Sequence, residues 1–251
     1  MINNSYYSQD VHGPCELHDI GDLELEEGDT IRACMLAYAT FGTLSAAKDN
    51  AIFVTTWYSG TNKIMEQVYI GPGPALDPDR YFVIVVNQID NGLSTSPHNT
   101  PAPGGIGYFP HVRIGDDVRA QHKFIMEKFG IERLALVAGG SMGGFFGVMD
   151  PNDLLCMAWK WQRGDVSRHT GGDLRAALGR NKVETFVLPM SSDMFFPPAD
   201  FRAEWQPILD AEFRPIQTLD GHLALFGADP HAIAQLDGHL NELLALSPTA
   251  D

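Results

Sequence analysis

The chain has 251 residues, 44% of them hydrophobic and 20% charged, and its 17 Lys and Arg against 32 Asp and Glu give a formal net charge of −15. That is ample apolar material for a single globular core, and no basic cluster offsets the negative surplus, so nucleic acid and anionic membrane are excluded as partners. Cys15, Cys34 and Cys156 are too few for a disulfide framework and form no C-x-x-C pair, so reduced, buried or half-buried thiols are expected. No basic stretch leads into an apolar run at the N-terminus, and no apolar run nears the ~20 residues of a spanning helix; a soluble cytoplasmic protein is the expectation.

In chain order, residues 15–27 and 31–41 read as two strands around the turn-like break Glu27-Gly28-Asp29. The apolar runs 51–56 and 81–86 are the kind of near-continuous β-branched segment that is buried on both faces of a parallel sheet. Between them, Trp57-Tyr58-Ser59-Gly60 is a loop, and residues 91–110 form a second loop rich in Pro, Gly and Asn. Ile114, Val118, Ile125 and Phe129 recur at helical spacing with Gly130 as the stop, and His122 lies on that stripe as a structural histidine. Strand 134–138 runs straight into Gly139-Gly140-Ser141-Met142-Gly143-Gly144. Helices are predicted over 152–162, 173–178 and 231–246, and strands over 184–189 and 213–217, the last at an edge because of Pro215. Strands alternating with helices give an α/β fold, with a mainly parallel sheet flanked by helices and antiparallel strands at its N-terminal side.

The G-x-S-x-G at 139–143 gains weight from its setting. An apolar strand ends just before Ser141 and a helix-like segment follows, the context of a nucleophile elbow. A serine hydroxyl needs a general base, and in this fold the order is Ser, then an acid, then His. Asp193 follows the strand that ends at Pro189, and His222 follows the last strand, so Ser141, Asp193 and His222 are the candidate triad. Asp200 is the competing acid; His231 and His239, inside a predicted helix, are the competing bases. The developing oxyanion calls for two backbone N–H groups, one from Met142 and the other from Trp57 or Tyr58. The nine histidines show no H-x-x-x-H spacing, so no metal is expected.

Several segments in order resemble the homoserine O-acetyltransferase family of α/β-hydrolases: Ala39-Thr40-Phe41-Gly42-Thr43-Leu44, Ile70 to Gly73 with Asp77 to Phe82, Val118 to Gln121, Gly139 to Gly144, and Ser192 to Pro198. The resemblance implies ping-pong acyl transfer from a small-molecule acyl ester or thioester to water or an alcohol. Ser141 would be the nucleophile, Asp193 the orienting acid and His222 the base. It implies no bound cofactor; acyl-CoA or another acyl ester would enter as substrate, and a homodimer is compatible with it.

Two departures qualify the likeness. The loop Asn87 to Pro97 looks more like the hydrolase-like branch of that family. Only 52 positions separate Ser141 from Asp193, where a helix, a strand, a cap and a further helix are expected, and a βαβ unit alone takes ~30 residues or more. The segment lost lies near residues 146–150 and would carry a sheet strand and the cap. The chain therefore reads as a single α/β-hydrolase domain, residues 1–251, with a reduced or missing cap. Its expected function is ester hydrolysis or O-acyl transfer; the alternatives are a catalytically weak or inactive binding module and a folding-compromised deletion variant.

Overall fold

The computed structural model describes residues 4–140 and 149–246. The chain gathers into two compact units, Met1–Gly164 and Asp165–Asp251.

In the first unit the two long N-terminal strands each break in two. β1 (Glu16–Asp19), β2 (Leu23–Glu24), β3 (Thr30–Ile31) and β4 (Met35–Phe41) replace them, because Gly21 (φ 74°) and Ala33 (φ 46°) turn the backbone out of the extended region. β2 and β3 pair as a small antiparallel hairpin, while β1 pairs antiparallel with β4. The short α1 (Gln9–His12) precedes them. β5 (Ala51–Thr55) and β6 (Phe82–Val86) form the parallel centre, separated by α2 (Asn62–Tyr69), a helix that the sequence reading did not assign. α3 (Ile114–Phe129) ends at Gly130 in the left-handed conformation, φ 61°, as its stop signal predicts. β7 (Leu136–Gly139) and α4 (Pro151–Gln162) complete the unit, and the five-stranded sheet has the order β1-β4-β6-β5-β7.

Burial separates the expectations. Every residue of β6 and the first four of β5 are buried, as a doubly covered strand requires. β7 is different: Val137 is 61% exposed, and β7 takes its one described pairing from β5. The face of α3 is the predicted one only in its second half, where Ile125 is buried in the core and Phe129 packs against it. Ile114 and Val118 are exposed, as is His122, whereas Asp116, Asp117, Ala120, Gln121 and Phe124 are buried. The two carboxylates are drawn in by donors. The Glu26 N–H donates to Asp116 Oδ1 (3.0 Å), the Ile89 N–H donates to Asp117 Oδ1 (2.9 Å), and Lys160 Nζ, buried on α4, donates to Asp117 Oδ2 (2.5 Å).

The second unit holds α5 (Leu174–Leu178), β8 (Thr185–Val187), α6 (Pro198–Trp205), β9 (Ala211–Phe213) and α7 (Pro230–Leu246). β8 and β9 are parallel, and their alignment continues into the Met190–Ile216 bridge. β9 ends two residues before Pro215, so the ring that was expected to mark an edge lies just past the strand. A small apolar cluster of Met190, Ile216, Ala224 and Ala232 packs beside this pair. Among the described residues no helix is long and apolar enough to cross a membrane.

Candidate functional site

Parallel strands deliver their C-terminal loops to one end of the sheet, and register decides which loops are neighbours. Thr55, the last residue of β5, pairs with Gly139, the last residue of β7. The loop carrying Trp57 and Tyr58 therefore leaves the sheet beside the segment leading to Ser141. Gly140 brings that segment up to Trp57: a β-carbon on it would lie 3.9 Å from the indole ring. Trp57 and Tyr58 are both buried, and the Tyr58 hydroxyl donates to the carbonyl of Leu154 on α4 at 2.6 Å. The Gly60 N–H donates to the Trp57 carbonyl at 2.9 Å and closes the loop as a tight turn. On the side of the N-terminal segment, a cavity of about 200 Å³ is lined by Tyr6, His12, Trp57, Ser59, Thr61 and Lys63, among others. Ser141 and Met142 lie outside the described residues.

In the second unit the loops after β8 and β9 meet in the same way. Asp193 and His222, 29 residues apart, come together with Nδ1 and Oδ2 at 2.7 Å, both buried. The carboxylate is held from its other side, where Oδ1 accepts the N–H groups of Phe195 (2.7 Å) and Phe196 (3.0 Å). The loop that presents the histidine is tied down as well. Ser192 Oγ donates to the Thr218 carbonyl at 2.8 Å and accepts the Gly221 N–H at 3.1 Å. An imidazole whose Nδ1 faces a carboxylate keeps its proton there, so proton acceptance falls to Nε2. The rings of Phe195, Phe196 and Phe226 stand 5.4, 5.4 and 5.9 Å from that of His222.

The competitors do not share this arrangement. Asp200 and His231 are exposed, and His239 Nδ1 faces the Arg214 guanidinium at 3.2 Å. Sequence reasoning missed a second pair of the same kind. His98 Nδ1 lies 2.6 Å from Asp153 Oδ2, the His98 N–H donates to Asp153 Oδ1 at 3.2 Å, and Tyr7 stacks on the imidazole at 4.4 Å. Nothing in the spacing could have found it, because 55 positions separate the two residues and neither belongs to a motif. The three thiols are as expected, with Cys34 buried and Cys15 and Cys156 half-buried; burial pushes the Cys34 and Cys156 thiols up to about 12.

An antiparallel lead-in to parallel strands, with an elbow sequence at the end of one strand and a carboxylate-held histidine in a later loop, is the layout of an α/β-hydrolase. The sequence profile of the α/β-hydrolase fold matches residues 57–149, and the chain belongs to that family. It is 42% identical to the ethyl acetate hydrolase of Pseudomonas veronii, covering 96% of this chain and 99% of that one. A solved structure of the acetyl esterase MekB superposes with a TM-score of 0.94 at 42% identity, covering 96% of this chain and all of the other. The homoserine O-acetyltransferase of Leptospira biflexa is 44% identical over 137 residues, which is 49% of this chain and 36% of that enzyme. Sequence likeness to that transferase thus spans half the chain, whereas sequence likeness to the ester hydrolase spans nearly all of it. The alignment with the Pseudomonas enzyme runs over 344 positions against the 251 residues here, so at least 93 of them face no residue of this chain.

Proposed function

We propose that the protein hydrolyses short-chain acyl esters, acetate esters first among them, through an acyl-enzyme on Ser141. His222 takes the serine proton and later returns it to the leaving alcohol; Asp193 fixes the ring tautomer and stabilises the imidazolium. The N–H groups of Met142 and of Trp57 or Tyr58 receive the oxyanion. The observation that carries this reading is the 2.7 Å contact between Asp193 and His222, two residues that sequence order alone paired as acid and base. Nearly full-length similarity to an ethyl acetate hydrolase supports hydrolysis over transfer to homoserine, and with it water as the acyl acceptor.

A serine-directed phosphonate tests the assignment. Label is expected on Ser141 and on no other residue, with p-nitrophenyl acetate turnover lost in parallel. Turnover that persists with Ser141 unlabelled, or in Ser141→Ala, overturns the reading.

The shortfall of at least 93 positions favours a second element of the proposal: the segment lost near residues 146–150 leaves a weak, unselective catalyst. A cap excludes water and shapes the acyl pocket, and a sheet strand beyond β7 would cover Val137. Specific activity on ethyl acetate well below that of the Pseudomonas enzyme is expected; equal activity under the same conditions overturns it.

A further inference from the structure

We propose that Asn91 is a positioning residue for the loop Trp57–Gly60, an inference that rests on the esterase reading and on that loop supplying an oxyanion donor. Asn91 Nδ2 donates to the Gly60 carbonyl at 3.2 Å and to Asn87 Oδ1 at 3.2 Å. Its amide cannot be turned over, because Oδ1 accepts the N–H groups of Leu93 (3.0 Å) and Ser94 (3.4 Å). Asn87 anchors the arrangement to the sheet. Its Nδ2 donates to the Ala37 carbonyl on β4 (3.1 Å) and to Asn62 Oδ1 (2.9 Å), and its Oδ1 accepts the Asn62 N–H (3.0 Å). All three asparagines are 1% exposed or less.

The neighbouring Gln88 holds the other end of the segment. Its N–H donates to Thr56 Oγ1 at 3.4 Å, and its side-chain amide donates to the Thr56 carbonyl. Residues 56, 60 and 62 are therefore gripped from one loop, and the turn between the first two carries the N–H groups of Trp57 and Tyr58. Since the Gly60 N–H closes that turn onto the Trp57 carbonyl, a fixed Gly60 carbonyl fixes the turn. A buried, mutually satisfied amide network is rigid, and oxyanion donors act only within about 2.7–3.1 Å of the developing charge.

The test uses Asn91→Asp, which keeps the acceptor for Leu93 and Ser94 and removes the donor to Gly60, with Asn91→Ala as a second variant should the buried charge impair folding. Rates are measured per active site, counted by stoichiometric labelling with the serine-directed phosphonate. The expected result is a kcat lower by about 10- to 100-fold with KM within about twofold. Amide hydrogen exchange at Tyr58, Ser59 and Gly60 should be about 10-fold faster or more, with β5 and β6 unchanged. A merely structural role lowers the number of titrated sites and leaves kcat per site alone. Unchanged kcat per site, or unchanged exchange in the loop, overturns the proposal. A wild-type protein that neither turns over p-nitrophenyl acetate nor takes the phosphonate on Ser141 sinks the esterase reading itself, whereas an active, labelled wild type with an unaltered variant sinks only the role of Asn91.

Discussion

His98 with Asp153 in the first unit and His222 with Asp193 in the second are the same pair chemically, with Nδ1 to carboxylate distances of 2.6 and 2.7 Å. Their surroundings differ. Tyr7 lies over the His98 ring, its hydroxyl accepts the Asp150 N–H at 2.9 Å, and Gly92 (φ 96°) makes room for it, since a β-carbon there would stand 2.0 Å from the tyrosine ring. Around His222 the neighbours are open to solvent: Met194, Phe195 and Leu223 are all more than 60% exposed. An aspartate–histidine pair is thus a structural tie in one place and, in the proposed mechanism, a proton shuttle in the other. Both rings are buried, so what distinguishes them is the residues packed around the imidazole, not the bond between the partners.

Substitution separates the two roles. His222→Ala should lower kcat for p-nitrophenyl acetate by about 10⁴-fold or more, with a melting temperature within a few degrees of the parent. Asp193→Asn should cost about 10³- to 10⁴-fold, because an amide facing Nδ1 favours the wrong tautomer. His98→Ala should do the opposite. Its kcat per titrated site should stay within about threefold, while stability to urea falls by about 3 kcal/mol, since the buried Asp153 carboxylate loses its imidazole partner and keeps the residue-98 N–H. If His98→Ala abolishes turnover per site while His222→Ala does not, the roles are reversed.

The smallest effect comes from Asp90, which lies in the same unit and feels the Asp153 charge. It is fully buried, with φ 77°, 3.4 Å from Lys160 Nζ, and neither carboxylate oxygen has a hydrogen-bond partner of normal geometry. Burial pushes its carboxyl up to about 7; the Lys160 ammonium opposes that shift, and Asp117 and Asp153 add to it. The folded protein then holds a proton that the unfolded chain releases near pH 4, so this contribution to stability is present in acid and lost as pH rises towards 7. Asp90→Asn should flatten the fall in melting temperature between about pH 4.5 and 7.5, leaving the variant the more stable at pH 8. A parallel pH profile in the two proteins would show that Asp90 does not titrate there.

Legibility in the sequence followed how local each signal was. The runs at β5 and β6 announced doubly covered strands because covering both faces removes the need for alternation. Asp193 and His222 were legible because each follows a strand end, and the fold fixes their order. The length and stop of α3 and the inward side of its second half, Ile125 and Phe129, could be read, but the face of its first half could not. A hydropathy stripe assumes that charge faces water, whereas Asp116 and Asp117 face inward onto backbone N–H groups and Lys160. The amide network of Asn62, Asn87 and Asn91 gives no periodic signal, since its members meet through loop geometry. The exposure of Val137 was illegible from β7 itself, since an apolar strand reads as buried.

Trp57 has an optical consequence. Of the four tryptophans it is 2% exposed, Trp161 is 46% exposed and Trp159 and Trp205 are half-buried, so a neutral quencher such as acrylamide silences the other three before Trp57. A β-carbon on Gly60 would stand 2.8 Å from the Trp57 ring, which is therefore pressed against the turn that carries it. Emission surviving the quencher is weighted towards the indole beside Gly140, one residue from Ser141. Its colour should report water entering or leaving that corner, and acylation could then be followed in the unlabelled protein with a fluorimeter.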